Sequence, residues 1–391
     1  MSRMLVMTMG LVAGLTLASG LPAGADVDAE SPAQRKIEQA RSSIAKAPGR
    51  CQGHNDLAMA LARRARETSD PAFYVQAEEA LGRCLALSPN DLEALKVRAW
   101  VLLGQHRFAE ARDLALSLNK RVPDDLTVYG LLTDAQAELG NYKEAEAACQ
   151  WMLDLRPGNV PGLTRAAYLR ELFGDLDGAL DLMAAAYQQM PPSEVEDRAW
   201  ILTQIGHLHL AAGRPADAEA VVQEALSQFP RYHYALGQMG RVRTAQGRYQ
   251  EAVDLMRQRY REAPHPENLY ELAEALERAG QAAAARTAFA EFERNARAEM
   301  KGTDNANREL VYYYADHASR PAEALALARS ELARRRDVQT VAAYAWALRV
   351  NGRAAEAQEE MQAALTVGTR DPELRRRAVI IARAAEDRPR R

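Results

Sequence analysis

Apolar side chains recur at three- and four-residue steps along most of this chain. The stretch from Leu126 to Asn159 shows the unit. Val128, Tyr129, Leu132, Ala135 and Leu139 mark one face of a helix, and Gly140 interrupts it. Tyr142, Ala145, Cys149, Met152 and Leu155 mark a second helix, which Pro157 and Gly158 end. The steps are those of an α-helix. Proline cannot continue a helix, and glycine accepts turn dihedrals that other residues resist. Two helices joined by a short glycine turn predict an antiparallel hairpin.

The hairpin repeats. Pro89, Pro123, Pro157 and Pro191 stand 34 residues apart, and the beat resumes at Pro230 and Pro264 after a five-residue insertion. Twelve residues before each proline is an alanine: Ala77, Ala111, Ala145, Ala179, Ala218 and Ala252. Small side chains at that point let two helix backbones approach closely. Their first-helix partners are also small, at Ala99, Ala167, Gly206, Gly240, Ala273 and Ala345. A period of this length marks stacked supersecondary units that share one continuous core.

This grammar resembles the tetratricopeptide repeat family, a helix-turn-helix unit of the same length with small residues at the crossing, an aromatic after the turn and a closing proline. The order of the chain also looks like that of large bacterial exported repeat proteins. The resemblance implies an all-α, right-handed α-solenoid of about nine helix-turn-helix units over residues 55–369. Three units are irregular. The first has a stretched turn, RARETSDPAFY; the unit around Tyr312 lacks the turn glycine and closing proline; the last closes at Thr369 without proline. Helical caps are expected at both ends. Residues 26–54 hold a linker and a helix over Ser31–Ala47, where Ser31 precedes a first-turn proline. Residues 370–391 hold a helix over Pro372–Glu386 and a basic tail. The apolar Ala378, Ile380, Ile381 and Ala384 should cover the last hairpin while the arginines stay in water.

Composition narrows the class of function. Aromatics are only 6% of the chain and the net charge is −3. That balance gives no support to nucleic-acid binding, which needs a basic stripe. The runs Arg334–Arg336 and EDRPRR read as solvated helix ends. Residues 1–25 read as a signal peptide: Arg3, an apolar run from Met4 to Leu17, then Ala23-Gly24-Ala25 before Asp26. The other reading is an uncleaved anchor, but the run is short and broken by Thr8, Thr16 and Ser19. No other stretch is a membrane-span candidate. The expected location is therefore outside the cytoplasm, in the periplasm or secreted.

An oxidising compartment makes the three cysteines informative. Cys51 precedes the first helix of the first unit and Cys84 ends its second helix, so hairpin geometry brings them together for a disulfide; two unpaired thiols are the alternative. Cys149 falls on a packed helix face as a buried thiol. No HExxH, GxxxxGK[ST], GxSxG or CxxC occurs. His207 and His209 sit about 200° apart around a helix and cannot share a metal. No cofactor, metal or catalytic residue is expected.

In the family, first helices line the concave face of the stack. The resemblance therefore implies a groove bearing Tyr168, Trp200, His207, Tyr234, Arg241, Tyr270, Glu274, Tyr313 and Trp346, which recur at equivalent first-helix positions. Large amphipathic side chains suit recognition; covering the spine between repeats is the competing role for each. The carboxylate clamp of chaperone-binding relatives, Lys-x-x-x-Asn, is absent, since Trp100 follows Lys96 at that spacing. The function expected is a non-enzymatic scaffold that binds a protein or peptide of unknown identity. An accessory subunit of an envelope assembly or secretion machine is the second reading. An enzyme with an unrecognised site on the solenoid is the third.

Overall fold

A computed structural model describes residues 31–302 and 305–386. The segment read as a signal peptide, the start expected at Asp26 and the basic tail lie outside the described residues. Within them the chain folds as twenty α-helices with no strand. Nine hairpins run in order: α2 (Cys51–Thr68) with α3 (Ala72–Leu87), α4 (Leu92–Gly104) with α5 (Phe108–Arg121), α6 (Leu126–Glu138) with α7 (Tyr142–Leu155), and α8 (Val160–Leu172) with α9 (Leu176–Gln189). Then come α10 (Val195–Ala211) with α11 (Pro215–Gln228), α12 (His233–Ala245) with α13 (Tyr249–Glu262), and α14 (Pro266–Arg278) with α15 (Ala282–Glu299). Last are α16 (Asn307–Asp316) with α17 (Pro321–Arg334), and α18 (Val338–Val350) with α19 (Ala354–Leu365). Helices α1 (Pro32–Lys46) and α20 (Pro372–Glu386) flank the stack. No described helix is long and apolar enough to cross a membrane.

Local chemistry explains the regularity. Several first helices begin on a short polar side chain: Asp91 accepts from the Ala94 amide at 2.9 Å, Asp125 from Val128 at 3.1 Å and Asn159 from Gly162 at 2.8 Å. Ser31 caps α1 in the same way, accepting from Gln34 at 3.0 Å. The crossing alanines Ala77, Ala111, Ala145, Ala179 and Ala218 are fully buried. At Gly240 an added Cβ would come within 2.7 Å of Met256 Cε, so the flexible end of that methionine would have to move aside. Six hairpin turns hold glycine at positive φ, at residues 140, 174, 213, 247, 280 and 352. The three hairpins without it place Ser69, His106 and Ser319 in the same left-handed conformation. That conformation costs a non-glycine residue about 1 kcal/mol.

The stack winds tightly enough to meet itself. The side chain of Arg66 on α2 reaches Glu196 and Asp197 on α10, and the α2 carbonyl of Arg66 accepts a hydrogen bond from His233 Nε2 at 2.9 Å. Further along, Arg335 binds Glu138 at 2.5 Å, the Arg336 amide donates to the Glu138 carbonyl at 3.1 Å, and the Val338 amide donates to the Tyr142 hydroxyl at 2.9 Å. At Gly140 a Cβ would lie 2.6 Å from the Arg336 carbonyl oxygen, so the two windings touch through a glycine turn.

Two sequence expectations need correcting. Arg377 of α20 is not in water: it is 7% exposed, and its guanidinium lies 3.9 Å from the Tyr312 ring centroid and 4.6 Å from that of Trp346. The helix buries Leu374, Arg377 and Ile381 along one stripe, so the cation serves as part of the covering face. Arg335 likewise leaves the solvated run predicted for it, because a neighbouring winding supplies Glu138.

Cys51 and Cys84 are joined, with their Cα atoms 4.3 Å apart, and Cys149 is a buried free thiol. Burial pushes the Cys149 thiol up to about 11, which keeps it protonated and unreactive. Thiol labelling of the unreduced, denatured protein should count one free cysteine; three would rule the bridge out. The Cys51→Ser, Cys84→Ser double variant is expected to lose about 3 kcal/mol of stability, from the chain entropy of the opened loop.

Candidate functional site

The winding brings hairpins distant in sequence into contact across the interior of the stack. The expected groove residues divide accordingly. Tyr168 on α8 keeps 40% of its surface accessible. Yet burial, with Glu138 and Asp337 nearby, pushes its hydroxyl pKa well above the tyrosine range. His207 Nε2 lies 2.7 Å from Glu171 Oε1, which ties α10 to α8. Trp200 is half-buried between the packed faces of α9 and α12. Tyr234 sits 3.9 Å from the His233 ring. Arg241 donates to Glu271 at 2.7 Å, with its side chain 46% exposed. Glu274 is half-buried, and burial raises its carboxyl pKa.

Tyr270, Tyr313 and Trp346 are corrections. They are 6%, 9% and 5% exposed and belong to the spine. Tyr270 packs edge-on against Phe289 at 5.8 Å, and Tyr313 lies 5.7 Å from both Phe289 and Phe292. Trp346 donates its indole N–H to Asp316 at 2.8 Å. The physical reason is the large side chains of α15 beside the short α16. Where earlier hairpins pack alanine on alanine, here aromatic rings fill the inter-helix space. Lys96, the nearest counterpart of a carboxylate clamp, is bound to Asp125 at 2.8 Å and Glu93 at 2.5 Å.

Of the residues that line two interior cavities, sequence reasoning singles out only Tyr234 for the groove. One cavity, of about 250 Å³, is walled by Trp100, Leu103, His106, Phe108, Glu138 and Arg335, among others. A second, of about 330 Å³, adjoins it through His106 and Arg335. Its other walls include Tyr74, Tyr234, Arg259, Glu267, Arg308 and Glu309. Glu271 stands behind this wall, between Arg241 at 2.7 Å and Arg259 at 2.8 Å. Burial would raise its carboxyl, but the two guanidiniums hold it down at about 2. Burial, with Arg335, Arg334 and Arg308 nearby, takes His106 down to about 3, so its imidazole is neutral. Apart from Tyr234, an expected groove residue, none of these lining residues is singled out by the repeat period. The one sequence signal was negative: His106 stands where most hairpin turns hold glycine.

A winding stack of antiparallel helix pairs with a shared spine defines an α-solenoid. Residues 96–160 and 203–266 match the family model of the tetratricopeptide repeat, so these two regions carry tetratricopeptide repeats. No curated protein matches it in sequence. Among solved structures it is similar to a chain of the APC/C hetero-tetramer Cut9–Hcn1, at 13% identity and a TM-score of 0.53 over 89% of this chain. It spans only 58% of that chain. It is also similar to the human IFIT1 dimer with PPP-AAAA, at 14% identity and a TM-score of 0.53, covering 85% of this chain and 87% of that one. At such identities the likeness is one of fold.

Proposed function

We propose that the protein is a non-enzymatic interaction scaffold acting outside the cytoplasm, where it engages a protein or peptide along the inner faces of α8, α10 and α12. Tetratricopeptide domains generally bind proteins or peptides. The observation that carries the reading is the accessibility of Tyr168 on α8, His207 on α10 and Arg241 on α12, three consecutive first helices, with the half-buried Trp200 beside them. Rigid aromatic and arginine side chains dominate the energetics of protein recognition. Export is supported by the pattern of residues 1–25 and by the Cys51–Cys84 pair, which suits an oxidising compartment. Mature protein is expected to begin at Asp26, and N-terminal sequencing from the native host checks it.

A photo-reactive phenylalanine at position 168 should capture the partner in the native envelope fraction. The same group at Tyr249, exposed on α13, should not. Tyr168→Ala with Arg241→Ala is expected to weaken binding of the captured partner at least tenfold while helicity is kept, since each anchor contributes about 1 kcal/mol or more. Equal capture from both positions, or unchanged affinity in the double variant, places the partner elsewhere.

A further inference from the structure

The larger axial cavity has no part in the scaffold reading, and its walls carry polar groups that the fold leaves incompletely answered. Arg259 is 4% exposed. Its guanidinium lies flat over Gly237, where an added Cβ would sit 2.9 Å from Nε. Its Nη1 meets Glu271 at 2.8 Å, but Nε has no hydrogen-bond partner. Glu271 also serves Arg241, so two guanidiniums share one carboxylate, and Glu267 is the other acidic group acting on Arg259. A buried arginine edge without a partner is costly unless something else accepts from it. Asn305 Nδ2, on the same wall, is a second buried donor without a partner.

The cavity is not simply cationic. Arg259, Arg308 and Arg335 are matched in number by Glu267, Glu309 and Glu331. Arg308 pairs with Glu309 at 3.1 Å, and Arg335 is held by Glu138 at 2.5 Å and Asp337 at 2.7 Å. A plain anion would answer Arg259 but meet the carboxylates unaided. A molecule carrying both charges answers both. The volume, about 330 Å³, is at the small end of the range for ligand pockets, and Tyr74, Tyr234 and His106 add ring surface to the polar wall.

We infer that this cavity binds a small zwitterion of amino-acid size, its carboxylate taken by Arg259 and Asn305 and its ammonium by Glu267. His106 forms part of the wall, held there by the left-handed turn.

The test is calorimetric titration of the full mature chain with each of the twenty free amino acids, followed by the methyl ester and the deaminated acid of any that bind. At least one amino acid is expected to bind one to one, with both derivatives weakened tenfold or more. Arg259→Gln is expected to weaken it at least tenfold. Should that variant fail to fold, His106→Gly and Asn305→Ala decide. The first installs the residue that six other hairpin turns already hold, so the fold is kept, and each is expected to weaken binding about fivefold or more. The inference is overturned if no amino acid binds or if the deaminated acid binds as tightly as its parent. It is equally overturned if folded Arg259→Gln, or both substitute variants, bind unchanged. None of these outcomes bears on capture of a protein partner at Tyr168.

Discussion

Glu196→Ala is expected to destabilise the folded chain by about 4 kcal/mol, the usual loss when one member of a buried ion pair is removed. Glu196 is 6% exposed and holds two windings together. Its Oε1 accepts from Arg66 Nε at 3.2 Å and from the Tyr232 hydroxyl at 2.6 Å, while Oε2 takes Arg66 Nη2. Truncation leaves the Arg66 guanidinium with Asp197 alone, at 2.8 Å, and the Tyr232 hydroxyl buried without its acceptor. The neighbouring Glu194, 3.6 Å from Arg63 and 39% exposed, is the control, since exposed pairs are worth about 0–1 kcal/mol. Urea denaturation followed by far-ultraviolet circular dichroism separates the two. Equal, small losses for Glu196→Ala and Glu194→Ala would mean that the windings are not tied at this point.

Acid is expected to act on the same closure through His233. This imidazole is 1% exposed and donates from Nε2 to the Arg66 carbonyl at 2.9 Å. Burial pulls its pKa down to about 3; the bond to Arg66 opposes the shift, and Arg259 and His265 assist it. In the unfolded chain the value returns to about 6.5. As pH falls, the unfolded chain therefore takes up the proton first. The stability contributed by neutral His233 is whole above pH ~6.5 and is lost progressively as pH falls toward about 3. Between pH 6.5 and 4.5 the loss is about 2 kcal/mol, the slope rising from about half to nearly all of 1.4 kcal/mol per pH unit. His106 shifts in the same direction. Glu271, held at about 2, adds its own loss only below the unfolded carboxyl value near 4.3. The stability of His233→Gln should fall less steeply over that interval, by about 1 kcal/mol per pH unit. Parallel slopes for variant and parent would refute the role of His233.

The hairpins were legible because each depends on residues close in sequence. The alanine at the crossing, the glycine or proline at the turn and the capping Asp or Asn act within one unit, so a period in the sequence is a period in the structure. The closure was not legible. It arises from small rotations summed over several hairpins, and it joins Arg66 to Glu196 and Glu138 to Arg335, residues with no periodic relation. The groove was legible only in part. Tyr168, His207 and Arg241 keep accessible surface, as equivalent spacing led one to expect. Spacing failed for Tyr270, Tyr313 and Trp346, because whether a first-helix aromatic stays accessible or joins the spine depends on its neighbours' bulk. Phe289 and Phe292 draw the first two inward, and Asp316 with Arg377 holds the third. Arg377 itself shows the limit of polarity patterns, since a charged residue covers apolar surface when rings are available to face it.

The central claim is that the solenoid closes on itself, and a zero-length cross-link tests it most directly. Lys36 Nζ on α1 lies 3.8 Å from Glu194 Oε2, just before α10, and both side chains are open to reagent, at 45% and 39%. Carbodiimide treatment of dilute monomer, followed by peptide mass spectrometry, should give a Lys36–Glu194 amide that disappears in Glu194→Gln. If Lys36 reacts freely with an amine probe yet no such link forms, the windings stand apart and the closed superhelix is contradicted.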